Sequence, residues 1–147
     1  MGDHRMISKK VCESARFLRL PATSQALYMH LILNADDDGI VEAYGVMRLI
    51  NACEDDLNIL ISRHFVTILD KDDLITYIDD WLQHNKIRPD RKQDSRYLPL
   101  LLQVLPDTQY VQARPRADRD GNKTNKTGRK YNYGELEALL LQTRPND

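Results

Sequence analysis

The spacing of apolar residues changes period between Ala43 and Ile78, and that change restricts the folds open to the chain. From Ala43 to Ile50, Val46, Leu49 and Ile50 fall at helical spacing, and a three-residue turn, Asn51-Ala52-Cys53, leads into a second helical stretch from Glu54 to about His64. There Leu57, Leu60, Ile61 and His64 follow the i, i+3, i+4, i+7 rule, which turns them inward and sends Asp55, Asn58 and Ser62 outward. The period then shortens. Val66-Thr67-Ile68-Leu69, the polar reversal Asp70-Lys71-Asp72-Asp73 and Leu74-Ile75-Thr76-Tyr77-Ile78 read as a β-hairpin. Two helices on a tight turn followed by a hairpin predict a winged helix-turn-helix, a mainly α fold with a small β-hairpin.

Upstream, Ser8 is a plausible N-cap for a first helix in which Val11, Cys12, Ala15 and Leu18, or Arg16 and Phe17, follow at roughly helical spacing until Leu20-Pro21 stops it. Thr23 can cap a second helix from Ser24 to Asn34, with Leu27 and Leu31 facing the core and Ala26 and Leu33 flanking them. Asp36-Asp37-Asp38-Gly39 ends that helix, and Ile40-Val41 suffices for one short strand. Counted from Asn34, this acidic run imitates a calcium loop, with oxygen ligands at places one, three and five and Gly at six. The twelfth place is Gly45 instead of the bidentate Glu, so a helix stop and turn is the expectation.

With 147 residues and 41% hydrophobic content, the chain has the size of one soluble domain. No apolar run approaches the ~20 residues of a membrane span, and Met1-Gly2-Asp3-His4-Arg5 lacks the apolar stretch of a secretory signal. Cys12 and Cys53 stand apart without a Cys-x-x-Cys pair, which argues against a disulfide framework or zinc site and suits a reducing cytoplasm. There is no Gly-x-Ser-x-Gly, Walker-type loop or His-Glu-x-x-His, and His4, His30, His64 and His84 are scattered. No enzyme activity, cofactor or metal is expected, and Trp81 is expected to anchor the core.

The net charge of −1 conceals a division. Residues 1–106, the expected winged-helix domain, carry 13 basic and 16 acidic side chains, whereas 107–130 carry 7 and 3. That second segment has too few apolar residues to offset the entropy of ordering and reads as a flexible basic linker. Beyond it, in 131–147, Leu136, Leu139 and Leu140 form one face of a short docking helix suited to self-association.

A helix-turn-helix places its second helix in the major groove of double-stranded DNA. Since Glu54-Asp55-Asp56 at the start of that helix repels phosphate, Asn58, Ser62 and Arg63 are the groove-facing candidates, with Lys71 on the wing. The stretch from Lys86 to Arg96 gathers five basic residues against two acidic, so Lys86, Arg88, Arg91 and Lys92 are candidate phosphate contacts; its plainer reading is a solvated loop. The same fold also docks proteins, and the acidic helix start favours that alternative.

Further residues carry a family resemblance: Arg5-Met6-Ile7-Ser8-Lys9-Lys10, Leu20-Pro21 to Leu31, Ala35 to Val41, Ala52 to Leu57, Arg63-His64-Phe65, and Trp81-Leu82-Gln83-His84-Asn85-Lys86-Ile87-Arg88-Pro89-Asp90-Arg91. Over about residues 5–97 the chain resembles the N-terminal domain of phage replisome organisers, the DnaD-like replication initiation proteins. The resemblance implies a winged helix that binds phage origin DNA in the host cytoplasm, forms a homodimer or higher oligomer and engages a host replication protein. The alternatives are a phage transcription regulator, or an interaction or host-inhibitory module, anti-defence included, that does not bind DNA.

Overall fold

Two serines divide the first predicted helix. In a computed structural model, which describes residues 3–115, Ser8 caps α1 (Lys9–Cys12) by accepting from the Val11 N–H, and Ser14 caps α2 (Ala15–Leu18) by accepting from the Phe17 N–H. The Ser14 hydroxyl also donates to the Val11 carbonyl at 2.7 Å, offering the backbone an alternative to one continuous helix. Phe17 is buried in consequence, while Leu18 is 60% exposed and leaves the expected stripe.

The longest helix, α3 (Ala22–Asn34), starts earlier than predicted, directly after Pro21 and without a side-chain cap. Thr23 is not that cap: its hydroxyl donates to Asp56 Oδ1 at 2.6 Å and ties α3 to the helix that begins at Glu54. Leu27 and Leu31 are buried, as their spacing requires. Next come β1 (Ile40–Glu42), α4 (Ala43–Ile50) and α5 (Glu54–Ser62), with Asn51 in the left-handed region ending α4. The chain leaves α5 through His64, whose φ of 64° and N–H bond to the Ile61 carbonyl, with Phe65 N–H bonding Leu60, form a Schellman turn. His64 is therefore exposed, not on the inward face as its spacing suggests.

Strands β2 (Val66–Asp70) and β3 (Ile75–Ile78) complete a three-stranded antiparallel sheet of order β1-β3-β2, with Ile40 opposite Tyr77 and Val66 opposite Ile78. Central β3 is buried at all four positions. Phe17, Tyr28 and Phe65 pack with ring centroids 5.3–5.7 Å apart, Phe65 edge-on to the other two, an arrangement aromatic rings favour, and Phe17 tilted against Tyr28. After the sheet, α6 (Trp81–His84) buries Trp81, whose indole N–H donates to the Asp37 carbonyl at 2.9 Å. The last helix among the described residues, α7 (Leu98–Val104), absent from the sequence expectations, has Pro99 in its first turn and buries Leu101. The described fold is thus helix-rich with a small antiparallel sheet, and no described helix is long and apolar enough to cross a membrane.

The N-terminal strand of chain is fastened by His84-Asn85. Met6 N–H donates to Asn85 Oδ1 at 2.8 Å, and Asn85 Nδ2 donates back to the Met6 carbonyl at 3.1 Å. Ser8 N–H donates to His84 Nδ1 at 2.9 Å, so the ring is held neutral with its proton on Nε2, which lies 2.8 Å from the Tyr28 hydroxyl. Burial pushes the His84 pKa below its ordinary value. The unfolded ring titrates near 6.5, so this contribution to stability is complete above about pH 6.5 and is lost as pH falls through the lower folded value. In an NMR titration the His84 ring should protonate below 6.5 and the Ser8 amide should move with the same midpoint. An ordinary midpoint, or an unmoved Ser8 amide, would contradict the fastening.

Candidate nucleic-acid interface

The outward face of α5 is set by what its inward face holds. Leu57 and Leu60 are buried, and Asp56, also buried, accepts from the Thr23 hydroxyl and the Cys53 N–H, the latter at 3.0 Å. The Thr23 bond, then the Cys53 bond, hold its carboxyl below the usual carboxylate range against burial, so one acid of this first turn is a structural acceptor. Glu54, Asp55, Asn58 and Ser62 are left exposed on one side, with Arg63 just beyond the helix. Ser62 Oγ donates to the Ile59 carbonyl at 3.1 Å.

Beside Arg63 stands a cation the sequence reading missed. Arg16 Nη1 donates to the Arg63 carbonyl at 3.1 Å, its Nη2 pairs with Asp80 at 3.2 Å, and its guanidinium lies 3.9 Å from the Phe65 ring centroid. Nothing in the spacing signals this approach across 47 positions. Lys71 is exposed at the β2–β3 turn, where Asp72 and Asp73 are exposed as well.

The basic loop after α6 is built differently from a phosphate clamp. Lys86 and Arg91 are exposed; Arg88 is exposed too but forms two hydrogen bonds, 3.1 and 3.0 Å, to Asp90. Lys92 is a correction. Its side chain is fully buried, with Nζ 2.7 Å from Asp38 Oδ1 and 2.9 Å from Asp94 Oδ1, so it cannot also meet phosphate. Burial draws its pKa down, but the bonds and charges of Asp38 and Asp94 outweigh burial and hold it above its ordinary value. The Lys92 ammonium is the partner that the structure gives Asp38 Oδ1.

The acidic turn proves to be the acceptor set for this loop. Asp38 Oδ2 accepts from Ser95 N–H at 2.8 Å and Asp37 Oδ2 from Gln93 N–H at 2.9 Å, while Asp37 Oδ1 pairs with Arg5 at 3.0 Å. Asp36 Oδ1 accepts from Asp38 and Ile40 N–H groups, closing the turn. A run of three acids and a loop with five basic residues, some fifty positions apart, were the available signal. Asn58, Ser62 and Arg63 therefore ride together at α5, whereas Lys86, Arg88 and Arg91 belong to a loop tied to the α3–β1 turn.

No family model, curated protein or solved structure matches this chain. Among the described residues no group of three or more His, Cys, Asp or Glu side chains is placed to hold a metal ion. Residues 107–115, read from composition as the start of a linker, lie against the body: Arg114 N–H bonds the Pro89 carbonyl at 2.9 Å, and Lys92 Nζ sits 5.3 Å from the Tyr110 ring centroid. The rest of the expected linker and the Leu136, Leu139 and Leu140 face lie outside the described residues.

Proposed function

We propose that the chain is a winged helix-turn-helix protein that binds double-stranded DNA in phage replication initiation, in the manner of a replisome organiser. The observation that carries DNA binding is the order α3, β1, α4, α5, β2, β3 with β1 beside β3, which puts α5 on the tight Asn51-Ala52-Cys53 turn with Asn58 and Ser62 facing outward. In that role Asn58 reads a base edge, since an amide can pair bidentately with adenine, and Arg63 and Lys71 meet phosphate. Lys86, Arg88 and Arg91 would add sequence-independent phosphate contacts. The replication role, the host cytoplasm, homodimer formation through Leu136, Leu139 and Leu140, and a host replication protein as partner rest on the family resemblance.

Charge reversal separates the two sets of cations. R63E/K71E is expected to weaken duplex binding and to reduce the slope of log affinity against log salt by about 1 per lost phosphate contact. K86E/R91E should weaken all sequences alike, without changing preference. Unaltered affinity in R63E/K71E would remove α5 and the wing from the interface.

A second function, docking of a host protein without DNA, is favoured by the exposed Glu54 and Asp55 beside Asn58. Stoichiometric capture of a host protein after nuclease treatment, together with no duplex binding at low salt, would select it.

A further inference from the structure

Two clefts adjoin where β1 runs into α4. One, of about 380 Å³, has Val41, Val46 and Asp36 in its lining. The other, of about 500 Å³, lies between Tyr44, Leu74 and the acidic hairpin turn at Asp72 and Asp73. Both are lined by Glu42, Gly45 and Tyr97, and the Tyr97 hydroxyl donates to Glu42 where they meet. A Cβ at Gly45 would meet nothing within 4 Å, so the shared wall is open, and Tyr44 is 60% exposed. No lysine or arginine is among the described lining residues of either cleft; Arg96 stacks 5.1 Å from the Tyr97 ring centroid but lines neither.

We propose that this double cleft holds the chain's own basic segment, residues 116–130. The segment carries six cations, Arg116, Arg119, Lys123, Lys126, Arg129 and Lys130, against Asp118 and Asp120. Carboxylates and tyrosine faces are the chemistry that receives such side chains, through charge-assisted hydrogen bonds and cation–π contact. Reach is secured by chain length. Arg114 is bonded to Pro89, and Tyr97 is eight residues from Pro89, so the cleft is at most about 29 Å from that anchor. Eight residues beyond Pro115 span the same distance, which brings Lys123 and every later cation of the segment within range. Tethering supplies an effective concentration on the order of millimolar, so modest contacts suffice, and salt weakens them. Held there, the segment's cations are withheld from any polyanion that competes for them.

The test needs no DNA, so its failure is distinct from failure of the DNA-binding proposal. Amide spectra of the full ¹⁵N-labelled chain are compared with those of K123Q/K126Q/R129Q/K130Q. The expected result is a set of shifts at Tyr44, Gly45, Leu74 and Tyr97, absent at Asn58, that disappears when the comparison is repeated in a D72N/D73N background. Unmoved cleft amides, or shifts centred on another surface, overturn the proposal. Restoration of the wild-type spectrum by adding unlabelled wild-type chain would show a second copy's segment in the cleft and overturn the own-chain assignment.

Discussion

Lys92→Met is expected to lower the unfolding free energy by about 3–5 kcal/mol, the usual cost of removing one partner of a buried ion pair. The side chain of Asp38 is 1% exposed, and without the ammonium 2.7 Å away its charge would be left uncompensated in the interior. Asp94, with its side chain 57% exposed, turns to water and adds little to the loss. For a domain of this size the melting temperature should fall by about 10–20 °C. Adding Asp38→Asn removes the stranded charge while keeping an oxygen for the Ser95 N–H, so the double variant should be more stable than K92M alone. Additive losses across that cycle would contradict a coupled buried pair.

Gly39→Ala should be nearly as costly, for reasons of space and backbone. Gly39 has φ +78°, and a Cβ there would lie 2.4 Å from Trp81 Cγ and 2.7 Å from Trp81 Cβ and Cδ2. The left-handed conformation costs about 1–2 kcal/mol for a residue with a Cβ, and forcing the indole aside about 1–3 kcal/mol more. The indole cannot move freely, because its N–H is bonded to the Asp37 carbonyl within the same turn. Trp81 is the single tryptophan, so denaturation followed by its fluorescence reads the loss directly. Gly45→Ala is the control: it sits in α4 with open space around it and should be neutral or stabilising by up to about 1 kcal/mol. Equal effects at the two glycines would refute the role given to Trp81.

These two sites also show where the sequence was legible. The helix over Ala43–Ile50 and the burial of Leu27, Leu31, Leu57 and Leu60 follow from apolar spacing, because one buried face imposes one period, and the burial of Trp81 follows from its size. Spacing could not show that Ser14 would interrupt a helix, that Thr23 would bond Asp56 instead of capping α3, or that His64 would take a left-handed turn. Each depends on one side chain or backbone choice that the core decides. The apolar run Leu98–Val104 carries no polar face to reveal its period, and α7 was missed for that reason. At the candidate interface, charge gave composition but not direction: Lys92 and Arg91 are neighbours of the same sign, yet one is sealed against Asp38 and the other is exposed. Arg16 meets the Arg63 carbonyl and the Phe65 ring across almost fifty positions, which no local spacing encodes.

The central claim, that α5 and the hairpin turn face double-stranded DNA, is tested most directly by titrating the ¹⁵N-labelled full chain with a duplex and following every backbone amide. Shifts should concentrate in residues 54–63 and around Lys71 and shrink sharply as salt rises from about 50 to about 200 mM. No shift at a stoichiometric amount of duplex in low salt, or shifts confined to surfaces away from α5 and the turn, would contradict it.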